Sequence, residues 1–230
     1  HEARMTLVGG SMANNAQLRK AADWEIQGDP TEAAFLVALR KLAGAPERVE
    51  AYERRAEVPF TSERKLMSVL GEESESGVHR LFTKGAPDVL LTHCTGVQVG
   101  PEVAPLDDTR RSTVLAAVQR LSAEGYRTLG VAYKTMDADR TAAGDLDGSD
   151  EIDLVFVGVV GIIDPPREEA AAAVKEAHRA GIRTVMITGD HPVTATRIAS
   201  DLGLVAAGAK ALTGAELDQL SDEEFQQATR

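Results

Sequence analysis

The sequence predicts a mixed α/β (α+β) chain: an antiparallel sheet with flanking helices, followed by a partial parallel βαβα segment of Rossmann-like type. Three observations carry that prediction. Leu66 to Leu70 and Val78 to Thr83 alternate apolar with small or polar side chains around a turn-rich Glu72 to Gly77, the pattern of a hairpin. Leu154 to Ile163 is almost continuously apolar, as expected of a strand covered on both faces. Helical stripes of apolar residues lie between such runs and are closed by Gly44, Gly125 and Gly181.

Each element has a local reason. His1 to Gly10 carries no capped-helix signature and supports no assignment, while Met12 to Leu18 fits a short helix. Trp24 to Ile26 reads as a strand that runs into Gly28-Asp29-Pro30-Thr31-Glu32. There Asp29 can cap a helix, Pro30 suits its first position, and Glu32 favours the positive end of its dipole. Phe35, Ala38, Leu39 and Leu42 form the buried stripe of that helix. A charged helix from about Pro46 to Arg54 is expected before the hairpin, and a short one opens at Pro87 after it. Val97 to Val103 reads as a strand pair around a Gly-Pro turn. A longer helix after Asp107 or Asp108 buries Val114, Leu115, Val118 and Leu121, and a strand follows from Tyr126 to Tyr133.

From Asp153 the pattern becomes β-α-β-α: the apolar strand, a helix after Asp164-Pro165-Pro166-Arg167, a second buried strand over Ile182 to Ile187, and a helix opened by Pro192 with Ala195, Ile198, Ala199 and Leu202 inward. Thr188-Gly189-Asp190 leaves the carboxyl end of that second strand, where ligands bind in open parallel sheets. Asp145-Leu146-Asp147-Gly148 briefly imitates the paired aspartates of phosphate-transferring enzymes. It follows no apolar strand, and that reading is rejected.

Composition sets the outer limits. With 36 acidic against 25 basic side chains among 230 residues, the net charge of -11 disfavours a general nucleic-acid or anionic-membrane role, so any positive cluster is local. The single cysteine, Cys94, excludes an internal disulfide and a cysteine-rich metal site, and points to a reducing compartment. The longest apolar run, Leu154 to Ile163, is too short to span a bilayer, and no signal peptide opens the chain; a soluble piece is expected.

The hairpin carries the candidate chemistry. An aromatic at one end, Phe60, a lysine on each strand, Lys65 and Lys84, and a bare backbone at Gly85 suit a nucleotide: a ring to stack on a base, ammonium groups for phosphates, and room for close approach. Taken singly, each has an ordinary reading. Phe60 after Pro59 fits a core, lysines are usually solvated, Gly85 can serve only the turn before Pro87, and Glu32 is explained by the helix dipole. Arg127 faces the surface by default, although a guanidinium beside Lys84 would suit a phosphate.

Gly28-Asp29-Pro30-Thr31-Glu32, Phe60 with Lys65 and Met67, Lys84-Gly85-Ala86-Pro87, Asp164-Pro165-Pro166-Arg167 and Met186-Ile187-Thr188-Gly189-Asp190 occur in one order along the chain. Together they resemble the large cytoplasmic insert of P-type cation-transporting ATPases of the calcium-pump and sodium-pump branch. The resemblance implies a nucleotide-binding domain over residues 1–162, part of a phosphorylation domain over 163–230, and a hinge near Asp164 to Pro166. It implies Glu32 near the adenine amino group, Phe60 stacked on the ring, Lys65, Met67 and Lys84 lining the pocket, Gly85 allowing close approach, Leu129 as a wall, and Arg127 reaching the phosphates. Thr188, Gly189 and Asp190 match the loop that meets the terminal phosphate.

One residue departs from the animal calcium pumps, which carry Arg two residues after the stacking Phe where this chain has Ser62. The family's nucleophile motif Asp-Lys-Thr-Gly-Thr and its magnesium motif Gly-Asp-Gly-x-Asn-Asp do not occur, so no catalytic or metal-binding residue is expected here. The implied whole is a membrane cation pump, calcium being the expected ion. It would use ATP and Mg2+ through an aspartyl phosphate, with this piece at the cytoplasmic face beside the pump's transmembrane and actuator domains. The piece is expected to bind ATP without turning it over. A non-catalytic nucleotide-sensing module and a soluble phosphatase relative of the haloacid-dehalogenase-like type are the alternatives. Lys84, with Lys65 and Arg127 as expected neighbours, should hold its proton weakly because like charges disfavour it.

Overall fold

A computed structural model describes residues 1–21, 23–137, 146–164, 167–188, 192–206, 208–209, 211–221 and 223–225. The chain forms two compact units, one of His1–Gln119 with Thr128–Ile162, the other of Arg120–Arg127 with Ile163–Arg230.

The first unit opens with α1 (Glu2–Met12), followed by the small antiparallel pair β1 (Gln17–Lys20) and β2 (Trp24–Gln27). The helix occupies a stretch for which no element was expected, β2 falls where a strand was expected, and Gln17 and Leu18 lie in a strand rather than in the expected short helix. The sequence does not announce this helix, which has no side-chain N-cap and contains Gly9-Gly10, a poor pair for helix propensity. Its stability is tertiary. A Cβ on Gly10 would lie 2.1 Å from the Phe35 ring and one on Gly9 2.8 Å from Val131, so the two glycines let the helix approach closely.

Helix α2 (Pro30–Arg40) forms as its sequence dictates, with the Asp29 carboxylate accepting from Thr31 N and Glu32 N and with Phe35 and Leu39 buried. α3 (Pro46–Glu50) is shorter than expected, because Tyr52–Val58 is a strand, β3. Its charged run Glu53-Arg54-Arg55 and a register shift between Arg54 and Ala56 hide the alternation that Tyr52 and Val58 keep by pointing inward. Charged side chains and irregular pairing are what an edge strand carries.

The hairpin is confirmed as β4 (Leu66–Glu73) and β5 (His79–Gly85), in register from Leu66 opposite Gly85 to Glu72 opposite His79. After them come α4 (Pro87–Thr92), β6 (Cys94–Val99), β7 (Glu102–Pro105), α5 (Asp108–Ala123), β8 (Arg127–Met136) and β9 (Leu154–Ile162). The seven-stranded sheet runs β3-β4-β5-β8-β9-β6-β7. The apolar strand β9 lies inside this sheet, parallel to β6, and does not open a separate parallel segment.

Two apolar layers cover the sheet. On one face Leu66, Leu70, Leu81, Ala132 and Phe156 pack with Leu90 and Leu91 of α4 and with Val114 and Leu115 of α5. Cys94 belongs to this core; its thiol donates to the Leu90 carbonyl at 3.1 Å, and burial pushes its pKa up to about 12. Tyr52 and Phe82 meet edge to face at 5.3 Å in a second core cluster with Met12 of α1.

In the second unit α6 (Glu168–Arg179) ends before Gly181, whose φ of +73° is the left-handed stop that glycine favours, and α7 (Pro192–Asp201) buries Ala195 and Ala199. A short α8 (Gly214–Leu217) is opened by a capping box between Thr213 and Glu216. The expected buried strand over Ile182 to Ile187 does not form: 182–188 is irregular chain, and Ile187 is 93% exposed. The apolar pattern was sound, but a strand also needs a neighbour for its backbone groups, and none is placed beside it among the described residues. Asp164 is described, whereas the Pro165-Pro166 part of the expected hinge lies outside the described residues.

Candidate functional site

Lys84 is the centre of the site. It sits near the end of β5, opposite Met67 on β4 and Val131 on β8, so strand alternation turns all three to one face, with Leu129 next along β8. The Lys84 side chain is only 5% exposed, and its Nζ donates to Glu32 Oε1 at 2.9 Å. The ammonium also stands 5.3 Å from the Phe35 ring centroid, an attractive cation–π placement. Burial pushes the Lys84 pKa below the ordinary lysine value, against the opposing pull of Glu32. The expected cause was neighbouring positive charge; desolvation is the larger one, and the charge in contact is a carboxylate.

Glu32 is held from several sides. Its Oε2 accepts from Asn15 N at 2.9 Å, and its backbone carbonyl accepts from Asn14 Nδ2 at 2.8 Å. Arg54 donates to the Asn14 carbonyl and to Asn15 Oδ1, so the two asparagines link the start of α2 to β3. Sequence reasoning missed these asparagines because it placed them inside a helix, and it read Phe35 only as core. Met67 is 2% exposed and forms floor rather than surface.

Phe60 and Lys65 lie in the loop that joins β3 to β4, and both are exposed, Phe60 by 57%. Lys65 adopts a φ of +56°, and its carbonyl accepts from Ala86 N at 3.1 Å, which ties the loop to the end of β5 beside Lys84. Ser62 is exposed in the same loop. Gly85 has a structural requirement of its own: a Cβ there would fall 2.1 Å from the Lys65 carbonyl oxygen and 2.7 Å from Leu66.

The structure thus brings together Glu32, Met67, Lys84, Gly85 and the Lys65 backbone, with Leu129 half-buried on the same face. Arg127 is exposed at the start of β8 and belongs to the second unit, as does exposed Thr188; Gly189 and Asp190 lie outside the described residues. A separate cavity of about 430 Å³, with Val8, Tyr52, Arg80, Phe82 and Tyr133 in its wall, includes none of the sequence-predicted site residues.

No helix among the described residues is long and apolar enough to cross a membrane. The chain is 40% identical over 221 residues to the calcium-transporting ATPase of Bacillus subtilis, covering 95% of this chain and 24% of that protein. It is 40% identical over 237 residues to the probable cation-transporting ATPase F of Mycobacterium tuberculosis, covering 98% and 25%. To a sodium/potassium exporting P-type ATPase of Schizosaccharomyces pombe it is 36% identical over 216 residues, covering 89% and 20%. The chain therefore spans about a quarter of the length of the curated relatives it matches. Residues 3–169 match the family described as P-type ATPase, cytoplasmic domain N, and with the hairpin, its lysines and the α2 glutamate placed as above, the chain belongs to the P-type ATPases.

Proposed function

We propose that this chain binds ATP as the nucleotide-binding part of a membrane cation pump, in which hydrolysis through an aspartyl phosphate drives transport. The Lys84–Glu32 pair, beside the loop that presents Phe60, carries the reading. Glu32 offers carboxylate oxygens to an exocyclic amine, the exposed Phe60 ring offers a stacking face, and Lys65 and Lys84 supply positive charge within an otherwise acidic chain. These residues fit a nucleotide. Gly85 permits close approach, Leu129 is a wall, and Arg127 is assigned to the phosphates. Thr188 belongs to the loop assigned to the terminal phosphate, in a partial phosphorylation domain from residue 163.

Calcium is the ion we assign to the parent, on the printed name of the Bacillus subtilis relative. Magnesium would neutralise phosphate charge during transfer. No group of three or more His, Cys, Asp or Glu among the described residues is placed to hold a metal ion. Calorimetric titration with ATP, ADP and AMP tests the binding. Stacking on Phe60 predicts affinities within about tenfold of one another, roughly 1.4 kcal/mol. A preference for ATP over AMP of several hundredfold, or no heat with any of the three, refutes it.

A further inference from the structure

Glu151 is the most deeply buried carboxylate described, 1% exposed, and nothing in the nucleotide reading uses it. Its Oε1 accepts from Arg64 Nη1 at 2.7 Å and from Ser68 Oγ at 2.7 Å, and its Oε2 accepts from the same Arg64 nitrogen at 2.8 Å. Ser68 in turn is 2.9 Å from Thr83 on the neighbouring strand, which fixes the carboxylate against the middle of the hairpin. The Glu151 backbone is held too, since its carbonyl meets His93 Nδ1.

The other arm of the guanidinium performs a different task. Arg64 Nη2 donates to the carbonyl of Pro59 and to that of Leu66, the latter at 3.0 Å. Those two carbonyls flank the segment Phe60 to Lys65. One planar group thus fastens both ends of the exposed loop while its opposite edge is anchored on a buried anion 87 residues away. The loop also contains Lys65 at φ +56°, a conformation that a non-glycine residue keeps only where its surroundings over-determine it. Arginine alone has donors in this fork arrangement; lysine has one nitrogen and cannot reach all four acceptor oxygens.

We propose that Arg64, clamped by Glu151, is a positioning residue that holds Phe60 and Lys65 in their binding conformation without touching the nucleotide. This rests on the nucleotide reading above, and the test separates the two. In Glu151→Gln and Arg64→Lys, amide hydrogen exchange is measured across the chain without ligand, and ATP affinity is measured by calorimetry beside the parent. The expected result is exchange at residues 60–65 at least tenfold faster, with β4 and β5 amides still protected as in the parent, and an ATP Kd raised about tenfold. Arg64→Lys keeps the charge and carries the test if Glu151→Gln does not fold. Unchanged loop exchange in a folded variant overturns the proposal. So does acceleration of loop and strands together, which marks a purely structural pair. A parent that binds no ATP sinks the nucleotide reading, whereas a parent that binds and variants that bind equally well sink only the positioning role.

Discussion

Replacing Phe60 by alanine separates a stacking platform from a core side chain. Full burial of a phenylalanine is worth about 1.5–3 kcal/mol. With Phe60 57% exposed, less than half of that is available, so Phe60→Ala should cost only about 1 kcal/mol of stability, a fall of about 2–4 °C in Tm for a chain of this size. Phe82 is the comparison. It is 6% exposed and packed edge to face on Tyr52, and Phe82→Ala should cost about 3–5 kcal/mol. The order reverses for ligand. Losing a base-stacking aromatic should weaken ATP binding by about 1–3 kcal/mol, on the order of ten- to a hundredfold, in a Phe60→Ala protein that is still folded. Urea titration followed by calorimetry below the transition reads both quantities. A Phe60→Ala protein that loses as much stability as Phe82→Ala, or that binds ATP as tightly as the parent, refutes the reasoning.

Lys84 gives a pH signature. Burial lowers its pKa in the folded chain, so between that value and the ordinary lysine value of about 10.4 the unfolded chain binds one proton more and stability rises with pH. Lys84→Met should flatten that rise relative to the parent in urea midpoints taken from about pH 7 to 10, and identical slopes would refute it. Gly85→Ala places a methyl group on the Lys65 carbonyl, a backbone atom that cannot swing aside, and should cost about 1–3 kcal/mol by urea denaturation even without nucleotide; a neutral effect would refute the tight approach of β4 to β5.

The parts of the fold legible in the sequence are those whose cause is local. The Asp29-Pro30 cap of α2, the β4–β5 alternation and the Gly181 stop each depend on a few adjacent residues, and each appears where expected. Helix α1 depends on what Gly9 and Gly10 touch, and β3 on a partner strand that tolerates its charged, shifted register; neither cause is written in its own segment. At the site, Lys84 and Glu32 were singled out separately, but their direct pairing across 52 residues was not foreseen. Nothing in the sequence marks Arg64 or Glu151. An arginine among charged neighbours and a glutamate in an acidic loop look solvated until the fold encloses them.

The Arg64–Glu151 pair also imposes a schedule on the chain as it is made. Its partners are 87 residues apart, and at about 5–20 residues per second the ribosome needs roughly 4 to 17 seconds to pass from one to the other. From Gly85 onward both strands of the hairpin are present and can pair, yet until Glu151 is made the loop bearing Phe60 lacks its buried anchor. The loop bearing Phe60, to which we assign the nucleotide base, therefore gains its anchor only when a segment much later in the chain has been synthesised.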